Sequence, residues 1–186
     1  MACAAAPWRA LRVAAPAAVV CLATLLGLFR LEARVPDWLT DDTLFSASLR
    51  VNPEDAQANQ YLGIAAIRRR DWGEACRALG VAHRADPDSG RIAGAHAWAL
   101  LQSGEFAGAV RAAQEGVALE PFQVDTWWTL TLARHLAGDH KGELAAAEKV
   151  LELSPRHPGG RDARARAECE VSGRTDCDGP RAGAAQ

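Results

Sequence analysis

A chain of 186 residues with a formal net charge of −2 holds one domain plus some extra segments and gives no electrostatic footprint for nucleic acid. Hydrophobic residues make up 49% of it but aromatic ones only 6%, which suits closely packed small-residue helices better than a bulky globular core. Ala is the best helix former, and the alternating Val/Ile/Thr/Tyr pattern of strands is scarce, so an all-α fold is expected. Nineteen arginines against two lysines, with the Ala and Gly bias, associate the chain with a GC-rich bacterial genome.

The first element is apolar. Residues 13–29 (VAAPAAVVCLATLLGLF) carry no charge. As a helix they span roughly 26 Å, against about 30 Å of bilayer hydrocarbon, and Arg12 can snorkel to close the difference. Pro16 falls in the first turn, where a missing N–H costs little. A cleaved signal peptide would need small residues before its cut, and Phe29-Arg30-Leu31-Glu32-Ala33 is a poor site. A lipoprotein would need a small residue before Cys21, which follows Val19-Val20 instead. An uncleaved transmembrane signal anchor is therefore expected, in contact with a lipid bilayer through residues 13–29. Arg9, Arg12 and the free amine precede it, while Arg30 and Arg34 follow. This balance slightly favours a cytoplasmic segment 1–12 and an exported remainder. The expected location is a bacterial inner membrane with the C-terminal domain in the periplasm.

Four prolines mark the rest of the chain: Pro53, Pro87, Pro121 and Pro155, each 34 residues from the next. Each closes a helix-compatible run, namely SASLRVNP, GVAHRADP, EGVALEP and KVLELSP. On this register the units are 56–89, 90–123 and 124–157. Leu62-Gly63, Asp71-Trp72 and Ala75 in the first unit resemble the signature of the tetratricopeptide repeat (TPR). Gly104-Glu105-Phe106 and Ala109 carry the likeness in the second unit, and Trp127, Leu130 and Gly138-Asp139-His140 in the third. The resemblance covers about residues 37–157 and implies a helix-turn-helix solenoid, here preceded by one transmembrane helix. His96-Ala97 and Thr131 depart from the usual Leu-Gly, and His140 replaces an aromatic at the turn. His96 reads as a packed, hydrogen-bonded helix residue in preference to a ligand or switch.

Counting back from Pro53 leaves a half repeat, 37–55, with only a helix B behind the Asp37-Trp38 turn. After Pro155 a capping helix is expected over 158–170, since residues 161–170 (RDARARAECE) are charged and Ala-rich, as a solvent-facing cap requires. A disordered tail is expected over 171–186. In an oxidising compartment Cys169 and Cys177 could close a small loop by disulfide. No CxxC occurs, and His83, His96, His135, His140 and His157 do not fall at metal-ligand spacings, so no metal or cofactor is expected.

The TPR resemblance implies a concave face built from the first helix of each repeat, gripping a peptide or a partner helix. In this register the groove residues are Gln60, Ile64, Arg68, Arg91, Trp98, Leu101, Trp128, Leu132 and His135. Trp98 and Trp128 are either partner anchors or packing between repeats. Chaperone-binding TPRs place Lys and Asn where this chain has Gln60 and Ile64, which speaks against a Glu-Glu-Val-Asp-type ligand. Arg68-Arg69-Arg70 reads as a solvated helix end. The expected function is a membrane-anchored scaffold or assembly factor of the cell envelope, not an enzyme, since no catalytic constellation is present. A narrower likeness lies in Arg34, Trp38, Leu44, Phe45 and Pro53, whose setting resembles the junction of TPR-containing membrane O-mannosyltransferases. It implies, as the alternative, an accessory or detached part of a membrane glycosyltransferase system.

Overall fold

The computed structural model describes Leu22, Thr24 and residues 40–174. The segment 1–12, the expected span 13–29 apart from two of its residues, the Asp37-Trp38 turn and the tail from 175 with Cys177 all lie outside the described residues. Among the described residues no helix is long and apolar enough to cross a membrane.

From residue 40 on, the described residues form eight helices and no strand, as the composition led us to expect. They are α1 (Asp41–Val51), α2 (Ala56–Arg69), α3 (Trp72–Ala85), α4 (Gly90–Gln102), α5 (Phe106–Leu119), α6 (Val124–Leu136), α7 (His140–Leu153) and α8 (Pro158–Val171). The chain divides into two compact units, residues 1–47 and 48–186. Helix α1, which spans residues of both, is opened by Thr40, whose hydroxyl accepts from the Thr43 N–H at 3.2 Å.

In the second unit the helices alternate in two roles. Helices α2, α4, α6 and α8 touch one another in succession, and α3, α5 and α7 each join the helix before to the helix after. Side-chain caps start most of these helices. The carboxylates of Asp55, Asp71 and Asp139 accept from the N–H groups of Ala58, Glu74 and Gly142, and Ser89 accepts from Ile92. Within each repeat the turn between the two helices needs a left-handed residue, supplied by Gly104 (φ 88°) and Gly138 (φ 75°). The first repeat places Arg70 there at φ 60°, a conformation that costs a side-chain-bearing residue roughly 1–2 kcal/mol. Arg70 holds it because its N–H and that of Asp71 close onto Ile67 and Ala66.

Alanine explains how tightly the pairs pack. Ala66, Ala75, Ala82, Ala97, Ala113, Ala133 and Ala147 are all fully buried, so backbones rather than long side chains set the spacing. At Gly63 an added Cβ would fall 2.4 Å from Cγ of Leu79, closer than any real contact. The same register position is Ala97 in the second repeat and Thr131 in the third. Thr131 is fully buried, and its hydroxyl donates to the Trp127 carbonyl at 2.9 Å, so this departure from the repeat pattern is satisfied within its own helix.

His96 is packed as expected, but its Nδ1 is buried without a hydrogen-bond partner. Burial, and then the nearby His83 and Arg84 of α3, hold its imidazole below its ordinary value of 6.5, while Glu105, just before α5, and Glu115, on it, pull the other way. The folded state thus takes up a proton less readily than the unfolded chain. His96 contributes its stability in full above pH 6.5 and loses it as pH falls through the folded value. Thermal unfolding between pH 7 and 5 is expected to show a falling Tm, and His96→Leu to flatten that fall. A variant with an unchanged pH profile would place the loss elsewhere.

Candidate functional site

Small residues on α4 and α6 open a cavity of about 390 Å³ on the α2/α4/α6 side of the solenoid. Gly94 and Ala95 of α4 and Thr126 and Thr129 of α6 leave the space, and Ile67 of α2 closes one end. Trp98 and Trp128 form its aromatic walls, with Arg91 and Asp125 exposed at the rim. An added Cβ at Gly94 would lie 2.5 Å from Thr126 Oγ1, so the two helices meet at the cavity floor as closely as backbone allows.

Three of the nine groove residues read from the sequence line this cavity: Arg91, Trp98 and Trp128. The backbone of Arg91 is also held, its main-chain N–H donating to Glu120 Oε1 at 3.0 Å. Trp98 packs its inner side on the core. Trp128 does both of the things open to it. It walls the cavity, and its ring lies 4.8 Å from that of His157, over Gly159, where a Cβ would meet it at 2.4 Å. It therefore also wedges α6 against α8. Trp127 is a packing residue, with Nε1 donating to the Pro121 carbonyl at 2.8 Å.

The other six lie elsewhere. Gln60 and Ile64 are half-buried on α2, and Arg68 is exposed at its end, away from the cavity. Leu101 is 5% exposed and belongs to the core, and Leu132 packs against that core. His135 faces away from the cavity toward its own repeat's second helix, 3.0 Å from Glu143. Leu101 and His135 occupy the same register position, in the last turn of the first helix. There the surface that begins on the groove side has rotated toward the partner helix. The cavity residues missed from sequence are Gln123, at the start of α6, and Ala95, Thr126 and Thr129, which are small and polar or apolar alike. Only their neighbourhood with Gly94 marks them.

Cys169 is 8% exposed on α8 and is disulfide-bonded, with its partner outside the described residues. Cys76 is a free thiol, half-buried.

The tetratricopeptide repeat family profile matches residues 43–90 and 95–158, more than half of the chain. This protein belongs to that family. Its fold is similar to that of MamA, at 21% identity and a TM-score of 0.65 over 72% of this chain and 77% of that one. It is similar also to the TPR domain of Arabidopsis OM64, at 19% identity and 0.59 over 61% and 94%. The first TPR of Spaghetti (RPAP3), solved bound to the HSP90 peptide SRMEEVD, matches at 20% identity and 0.60 over 63% and 93%. No curated protein matches the chain. The matches named here are to TPR proteins, and the likeness to O-mannosyltransferase junctions finds no support among them. They indicate no enzyme family, and the fold is that of a protein-interaction module.

Proposed function

We propose that this protein is a membrane-tethered adaptor whose groove holds a peptide segment of a partner protein. The observation that carries the reading is the cavity between Trp98 and Trp128, sized for one large apolar side chain and bordered by one charge of each sign. The HSP90 peptide bound to the first TPR of Spaghetti supports recognition of a peptide segment. Gln60 and Ile64, at the positions where chaperone-binding relatives hold a carboxylate, argue for a different peptide with an aliphatic or aromatic anchor. The uncharged run 13–29 and the slight excess of positive charge before it support a single span in a bacterial inner membrane, with the repeats on the periplasmic side.

Crosslinking in cells, followed by capture from detergent extract, tests the groove. Trp98→Ala is expected to weaken the captured complex by about 2 kcal/mol, roughly thirtyfold in affinity. Equal recovery by the wild type and by the Trp98→Ala/Trp128→Ala double variant would move the binding surface away from this cavity. A reporter fused after Gln186 reads the topology.

A further inference from the structure

The third repeat differs from the first two at a set of positions that face one another across the turn between its helices. The last turn of the first helix holds Ile67, Leu101 and then His135 at one register position. The first residue of the second helix is Trp72, Phe106 and then His140. One turn further the small helix position is Ala75, Ala109 and then Glu143. An aliphatic, an aromatic and an alanine are thus replaced together by two imidazoles and a carboxylate. Ala75 and Ala109 are fully buried, and Glu143 keeps that burial with 0% exposure.

The replacements converge. His135 Nδ1 lies 3.0 Å and His140 Nδ1 3.5 Å from Glu143 Oε2, and one ligand atom from each residue falls within 4.8 Å of the others. His140 Nδ1 is buried and makes no hydrogen bond. The other carboxylate oxygen, Oε1, accepts from Nη2 and Nε of Arg166 on α8 at 2.7 and 3.2 Å. The Arg166 pair and the His135 hydrogen bond account for the carboxylate, but they leave His140, with its buried and unpartnered Nδ1 aimed at the same oxygen, without a reason.

We propose that His135, His140 and Glu143 form a binding site for a divalent transition-metal ion of the zinc type. Bonds of about 2.0–2.1 Å in tetrahedral array put ligand atoms roughly 3.3 Å apart, between the two distances to Oε2. The remaining pair has at most about 1.5 Å to close, within reach of rings that are each about one-third exposed. Arg166 fixes the carboxylate through Oε1 and leaves Oε2 as a single donor, the outer-shell arrangement that orients metal-bound carboxylates. The same exposure leaves a fourth position open to water. Two imidazoles and one carboxylate favour zinc, nickel, cobalt or copper over calcium or magnesium.

The test is calorimetric titration of zinc into the full chain in detergent, beside a variant carrying His135→Leu, His140→Phe and Glu143→Ala. Those are the residues of the second repeat, so the variant restores a packing the fold already uses. One zinc per wild-type chain is expected, with Tm raised by about 5–10 °C at a hundredfold excess over Kd. The triple variant is expected to show neither effect, and magnesium to do nothing to either chain. Equal zinc binding by both chains, or none by the wild type, overturns the proposal. If the triple variant fails to fold, His140→Gln serves in its place. Cobalt must then give a visible ligand-field band in the wild type that His140→Gln weakens, and an unchanged band overturns the site.

Discussion

Leu79→Ala is expected to lower the unfolding free energy by about 3 kcal/mol, measured by urea denaturation of the full chain in detergent. Leu79 is among the largest fully buried side chains of the described residues, and it sits over Gly63, which offers no atoms to fill the space it would leave. The transfer term and the cavity term therefore add, placing the loss within the roughly 2–5 kcal/mol span of buried Leu→Ala changes. The same geometry supplies its own control. In the wild type a Cβ at position 63 collides with Leu79 Cγ, so Gly63→Ala alone destabilises. In the Leu79→Ala background that Cβ points into the vacated volume. The double variant is expected to be more stable than the sum of its parts by about 1 kcal/mol or more, as contacting residues couple. Strict additivity would mean that the two helices relax apart instead of holding their spacing.

Arg166→Leu is expected to cost about 3 kcal/mol, the low end for orphaning a buried charge, since Arg166 itself is one-third exposed. The leucine restores what Leu132 is at the same register position, so lost packing contributes little. What remains is the carboxylate of Glu143, fully buried, with Oε1 stripped of its guanidinium and only the His135 contact left at Oε2, which keeps the loss at the low end. Adding Glu143→Ala to Arg166→Leu is expected to return most of the loss, since removing both partners is far cheaper than removing one. Chemical denaturation of the four chains, without added metal, closes the cycle. A double variant as unstable as Arg166→Leu alone would show that the arginine acts through packing on α8.

The parts of the fold that follow from local chemistry were legible in the sequence. The 34-residue proline spacing gives the repeat register, and Gly104 and Gly138 supply the left-handed turn it demands. The turn of the first repeat uses Arg70 instead, where the tertiary pairing of α2 and α3 overrides the preference for glycine. The groove was legible at Arg91, Trp98 and Trp128 because large residues at helical spacing mark a face. Leu101 and His135 were not, because a helix face is continuous in sequence while its environment is not. At the last turn of α4 and α6 the neighbour becomes the following helix, and positions that share a stripe with the tryptophans turn inward. The His135–Glu143 contact was hidden for the same reason. Its ligands straddle a turn, so their separation along the chain follows no helical ligand spacing.

Because each helix contacts only its near neighbours, the solenoid can come apart from its ends without disturbing its middle. Helix α8 is the last layer, and it carries Arg166. Every excursion of α8 away from α7 withdraws the guanidinium from Glu143 and admits solvent to the carboxylate and its two imidazoles. The third repeat thus keeps its charged cluster behind a door hinged at residues 154–157.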